Sequence, residues 1–113
     1  MNLLQETMND IKANTITSAV VAVGSADGQY AITFDKFKDI ASKTEYDNRY
    51  LTPGIADDLV ILFEDGSWFE RDTDENGRDY WRYCRKPVFT DASKTFTTVS
   101  KRFGYGYTLH DVQ

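Results

Sequence analysis

The sequence predicts an α+β domain: an antiparallel sheet of about five strands, a hairpin plus a three-stranded meander, with two or three helices packed on it. Three observations predict it. Asp65-Gly66 and Asn76-Gly77 separate the runs Leu59 to Phe63, Trp68-Phe69 and Tyr80 to Tyr83. Such dipeptides between strand-like runs are the strongest short-range hairpin signals. A β-branched run, Ile16 to Val23, precedes the turn cluster Gly24 to Gly28 and a second short run. Two further segments repeat apolar residues at helical spacing.

The elements follow in order. Leu4, Met8 and Ile11 recur at spacings of four and three, which predicts an amphipathic helix from Leu3 to Lys12 with Asn14 as its stop. Ile16 to Val23 and Gln29 to Thr33 form the first hairpin. Thr33 is placed to cap a second helix in which Phe34, Phe37, Ile40 and Ala41 share a face, with Asp35, Lys36, Lys38 and Asp39 toward water. Tyr46 to Gly54 reads as an irregular connection. The meander from Leu59 to Arg85 ends at Lys86-Pro87, because proline cannot donate to a ladder. Lys94 to Arg102 leaves helix and strand both open: Phe96, Val99 and Phe103 sit at helical spacing, and that spacing is favoured here, while the threonines favour strand.

At 113 residues the chain is one domain, 1–113, large enough to remove roughly two thirds of its unfolded surface from water. With 41% hydrophobic and 14% aromatic residues it can build a core rather than stay disordered. The formal charge of −5 disfavours non-specific binding to duplex phosphates. The one cysteine, Cys84, excludes an intrachain disulfide and points to a reducing compartment such as the cytoplasm. No run approaches the ~20 apolar residues of a membrane span, and the first residues lack the basic and apolar regions of a signal peptide.

The charge is unevenly spread. Ala56 to Asp79 holds nine acids and two bases, whereas Tyr80 to Gln113 holds six bases and two acids. Asp72-Thr73-Asp74-Glu75-Asn76-Gly77 matches the first half of a calcium loop. Tyr83 stands where the closing bidentate Glu belongs, so a solvated hairpin tip is the competing reading, and the favoured one. Lys101 to Tyr107 has a faint likeness to the aromatic strand of RNA-binding modules, but a turn with packing tyrosines is the favoured reading. Adjacent residues of a strand face opposite sides. Trp68 and Phe69, or Tyr80 and Trp81, therefore need a sheet covered on both faces, the favoured reading with this helix count, or some exposed rings. No nucleophile has a partner: Cys84 lacks a neighbouring base in sequence, and the single histidine, His110, lies in the last four residues. An enzyme is not expected, and no cofactor or metal is implied.

Asp58-Leu59-Val60-Ile61, Asp65-Gly66-Ser67-Trp68-Phe69-Glu70-Arg71, Tyr80-Trp81-Arg82-Tyr83 and the closing Lys86-Pro87 resemble small proteins of Gram-positive phages and prophages. Those carry a D-L-V-I-V…D-G-S-W-L-E-R…E-W-W-E-Y…P pattern. The stretch Ile11 to Ile40 resembles the same group loosely, so about two thirds of the chain is covered. The chain departs from the pattern at Asp79-Tyr80-Trp81, which stands for acid-Trp-Trp, and in a longer hairpin loop. The motif is structural rather than catalytic. Small acidic proteins of this origin are often inhibitors of host defence, so the resemblance implies an anti-CRISPR or other anti-defence protein.

The resulting expectation is an accessory protein that binds and inhibits a host nucleic-acid-handling defence protein, such as a CRISPR effector nuclease. Asp57, Asp58, Glu64, Asp65, Glu70, Asp72, Asp74 and Glu75 would form a phosphate-mimicking surface, with Trp68 and Trp81 as contact rings. Membrane association and direct duplex DNA binding are not expected. The competing classes are a nucleic-acid-binding module using the basic C-terminal third, and a virion structural or assembly protein.

Overall fold

The computed structural model describes residues 1–47, 54–90 and 92–113. Two helices, α1 (Leu3–Ala13) and α2 (Phe34–Ser42), pack with five strands, β1 (Val20–Ser25), β2 (Ala31–Ile32), β3 (Leu59–Phe63), β4 (Trp68–Thr73) and β5 (Asp79–Cys84). The strands form one antiparallel sheet in the order β2-β1-β3-β4-β5. The predicted α+β architecture is the observed one.

Helix α1 starts where Asn2 accepts the Gln5 backbone N–H, and ends at Asn14 with Thr15 in the left-handed region at φ 54°. The next amide, Ile16 N–H, donates to Ile11 O at 3.0 Å, and Thr15 N–H to Lys12 O, which is a Schellman closure. That closure uses Ile16, so β1 begins only at Val20 rather than at Ile16. At the other end of the hairpin, Thr33 caps α2 by accepting the Lys36 N–H, and this cap cuts β2 to two residues. In β1, a Cβ on Gly24 would sit 1.9 Å from Tyr30 O, so the close approach of the two hairpin strands requires glycine there. The meander turns follow the sequence signals: Gly66 and Gly77 adopt φ 86° and 76°.

One sheet face is covered. Alternation sends Val23, Ile61, Phe63, Phe69 and Trp81 inward, where they meet Leu3 of α1 and Phe37 and Ala41 of α2. Phe63 and Phe69 meet edge-on with centroids 5.2 Å apart, and Phe69 stacks on Trp81 at 5.8 Å. Of the α2 face, Phe37 and Ala41 are buried while Ile40 stays exposed. The adjacent pairs are thus divided: Phe69 and Trp81 inside, Trp68 and Tyr80 on the outer face. Two-sided covering of the sheet is not observed among the described residues.

The favoured helix across Lys94 to Arg102 does not form. Among the described residues, 85–113 hold no helix or strand, and Phe96 and Val99 are exposed. The inner face is already occupied by α1 and α2. A segment this short, with Thr97 and Thr98 at its centre, does not sustain a helix without a surface to pack on. The radius of gyration, 17.3 Å, exceeds the ~13 Å of a compact chain of this length because this segment adds no layer to the body. The connection expected from Tyr46 to Gly54 lies largely outside the described residues.

Candidate functional site

The outer face of the meander presents Val60, Leu62, Trp68, Glu70, Asp72, Tyr80, Arg82 and Cys84, fixed by the registers Leu62↔Trp68, Val60↔Glu70, Glu70↔Arg82 and Trp68↔Cys84. At its centre Arg82 donates to Glu70 at 2.9 Å and lies 3.2 Å from Asp72. The Cys84 thiol donates to the same Glu70 oxygen at 2.9 Å. The Cys84 thiol and Arg82 hold the Glu70 carboxyl below the usual range, and Glu70 in turn holds Arg82 charged. Desolvation and the facing Glu70 push the Cys84 thiol up, so it stays protonated and is a poor nucleophile.

The expected eight-carboxylate surface therefore divides into three. Glu70 and Asp72 are clamped by Arg82 on the outer face. Glu64 and Asp65 stand at the end of the sheet where β3 turns into β4, and Asp65 is held down by Ser67, whose hydroxyl and N–H both donate to it. Asp57 and Asp58 lie at the opposite end, since the six-residue step from Asp58 to Glu64 along β3 covers ~20 Å.

Register brings other loops to the Asp57–Asp58 end. Ser25 pairs with Leu59, the Ala26 N–H donates to Asp58 O at 2.9 Å, and Thr73 pairs with Asp79. The β1–β2 turn, the entry to β3 and the β4–β5 turn thus share one pole. Asp27, Asp57, Asp58, Asp74 and Glu75 are all exposed there, and among the described residues none of them makes an ion pair; Arg78 is the base in that tip. Asp27, absent from the sequence-based set, joins because strand pairing places its turn beside Asp58. Its carboxyl is held low by the Ser25 hydroxyl and the Gln29 N–H.

The tip's calcium-like pattern is used internally. Asp74 accepts the N–H groups of Asn76 and Arg78, and Asp72 accepts that of Thr73 and pairs with Arg82. Among the described residues no group of three or more His, Cys, Asp or Glu side chains is arranged to hold a metal ion. A cleft of about 570 Å³ between α2, the first hairpin and the start of β3 is lined mainly by apolar side chains, with Ser25, Tyr30 and Thr44 among them, and contains one charged group, Asp58.

Trp81 does not belong to the exposed surface. It is 4% exposed, and its indole N–H donates to Thr7 Oγ1 at 2.9 Å. Trp68, half-buried on the outer face, keeps part of its ring accessible.

Sequence reading missed the polar cluster beneath α1. Glu6, Arg71 and Tyr46 are buried together: Arg71 donates to Glu6 at 3.0 Å and to the Tyr46 hydroxyl at 3.3 Å, and that hydroxyl donates to Glu6. The guanidinium also lies 4.7 Å from the Trp81 ring centroid. Burial and the Glu6 contact push Tyr46 up to about 12, and burial beside Glu6 raises Asp10. A signal existed: Arg71 is two residues from Phe69 and so shares its inward face.

Fold and surface define a two-layer α+β protein with an acidic pole and a sheet face left uncovered by the described residues, among which no helix is long and apolar enough to cross a membrane. No family model, curated protein or solved structure matches the chain.

Proposed function

We propose that this protein is a phage or prophage accessory protein that inhibits a host nucleic-acid-handling defence protein, of the anti-CRISPR kind, by presenting its acidic pole to a basic groove. The observation that carries the reading is the convergence of Asp27, Asp57, Asp58, Asp74 and Glu75 from three separate turns onto one end of a single sheet. The turns that carry them belong to neighbouring strands of one sheet, so the carboxylates crowd negative charge onto one end of the molecule. Their support is stiff, because every turn concerned is tied to the sheet. Charge of this kind steers encounter and sets register with a positive groove. The exposed Tyr80, opposite Asp72 at the start of β5, flanks the pole's outer side and supplies apolar contact area, whereas Trp68 lies at the far end of β4 beside Glu64 and Asp65.

The test is charge reversal of Asp57, Asp58, Asp74 and Glu75 to Lys, followed by nuclease inhibition and binding assays against a panel of purified CRISPR effectors and restriction enzymes. Inhibition by the wild type that is lost in the variant supports the reading. Inhibition that survives reversal removes the mimicry.

One observation favours a second reading, direct binding of single-stranded nucleic acid. Phe103 and Tyr105 are exposed, Tyr105 at 97%, beside Lys101 and Arg102. A gel shift with single-stranded RNA and DNA that weakens as salt rises would favour it; no shift would leave the inhibitor.

A further inference from the structure

We infer that β5 pairs with β5 of a second copy of this chain, joining two sheets about a twofold axis at Trp81. The backbone places the required groups. The Asp74 N–H donates to Arg78 O, so by antiparallel alternation Tyr80, Arg82 and Cys84 turn their N–H and C=O groups toward β4. Asp79, Trp81 and Tyr83 turn theirs away from the sheet, and among the described residues no backbone or side-chain group meets them. The parity agrees at the next strand, where Phe63 N–H donates to Ser67 O and fixes the odd-numbered residues of β4 toward β3. An edge with three unpaired donors and three unpaired acceptors is a template for another strand. The edge has no proline and no bulge within β5, its Arg82 charge is held on the outer face by Glu70 and Asp72, and among the described residues the hydrogen bonds of 86–113 close within that segment.

Charge selects the occupant and its direction. The acids Asp74 and Glu75 precede β5, and the bases Arg85 and Lys86 follow it. An antiparallel copy with Trp81 opposite Trp81 sets Asp79 against Tyr83 in both directions and forms about six backbone hydrogen bonds. The same register lays Arg85 and Lys86 of each copy beside the acidic tip of the other. It also sets Tyr80 opposite Arg82 on the outer face, a cation over a ring. A parallel copy would instead stack like charges at both ends. The inference stands on the strand edge and goes beyond the proposed function, since it needs no target; in the dimer Asp27, Asp57 and Asp58, two or more strands away from β5, remain the open carboxylates of the pole.

The test uses the full chain alone. Sedimentation velocity across a concentration series, with amide hydrogen exchange read residue by residue, should show a dimer whose Asp79, Trp81 and Tyr83 amides slow by about tenfold or more as the dimer fills. Arg85→Glu with Lys86→Glu should return the protein to a monomer. Adding Glu75→Lys to that variant, which leaves the Asp74 hydrogen bonds of the tip intact, should restore the dimer, because opposite charges then face each other again. A wild type that stays monomeric throughout, a dimer in which those three amides remain fast, or a compensated variant that stays monomeric would each overturn the pairing. Failure to inhibit any nuclease would leave these readouts unchanged.

Discussion

Arg71 on β4 donates to Glu6 on α1 across 3.0 Å, with both side chains shut off from solvent, and this ion pair locks the helix to the sheet. It is reached from positions 65 residues apart. Among the described residues Arg71 Nε is buried without a hydrogen-bond partner, so the pair carries a cost within the fold.

The first prediction concerns that pair. Arg71→Met strands a buried carboxylate and should cost about 3–5 kcal/mol in urea unfolding. Adding Glu6→Leu should recover most of the loss, because two apolar residues satisfy each other where one charge cannot. A double variant as unstable as the single would mean that packing, not charge, sets the cost.

Alkaline pH should unfold the protein through Tyr46. Its folded pKa, about 12, lies above the ordinary 10. The neutral phenol is therefore favoured in the fold, and the stability it contributes is complete below pH 10 and lost as pH rises through 12. A shift of this size corresponds to on the order of 3 kcal/mol. In Tyr46→Phe the drop over that window should disappear, as followed by circular dichroism at graded pH, while the hydrogen bonds to Glu6 and Arg71 are lost at every pH.

Thr15 should be improvable. It holds φ 54° at the end of α1, a conformation that costs a β-branched residue roughly 1–2 kcal/mol. Thr15→Gly keeps the Ile16–Ile11 closure and should raise stability by about 0.5–1 kcal/mol after glycine's greater unfolded entropy is subtracted. A fall in thermal midpoint would show that the Thr15 side chain makes a compensating contribution.

The two tryptophans should behave oppositely. Trp81→Ala opens the core beside Phe69 and should cost about 3–5 kcal/mol, whereas Trp68→Ala on the outer face should cost far less. Acrylamide should quench the fluorescence retained in Trp81→Phe and barely touch that retained in Trp68→Phe. Equal quenching would contradict the one-sided sheet.

Much of the scaffold was legible because it is local. The Asp-Gly and Asn-Gly turns, the Thr33 cap and the Asn14 stop each act within a few residues, and all stand where the pattern puts them. The strand limits at Val20 and Ile32 were not legible, since neighbouring caps competed for the same backbone groups. The C-terminal segment misled through its Phe96, Val99, Phe103 spacing, because periodicity announces a face without saying whether a surface is left to receive it.

By itself the sequence determined an acidic α+β chain with a central meander and an excess of carboxylates between Ala56 and Asp79. Only the tertiary structure decided which of those carboxylates stand together. Strand pairing brought Asp27 to Asp58 and carried Glu64 and Asp65 to the far end, and cross-strand register gave Glu70 and Asp72 to Arg82. It also decided that Trp81 is core and Trp68 is surface, because the helices cover one face and alternation alone cannot say which. The physical reason is the same in each case: turn and cap energies are set by adjacent residues, whereas charge neutralisation and burial depend on which distant strand lies alongside.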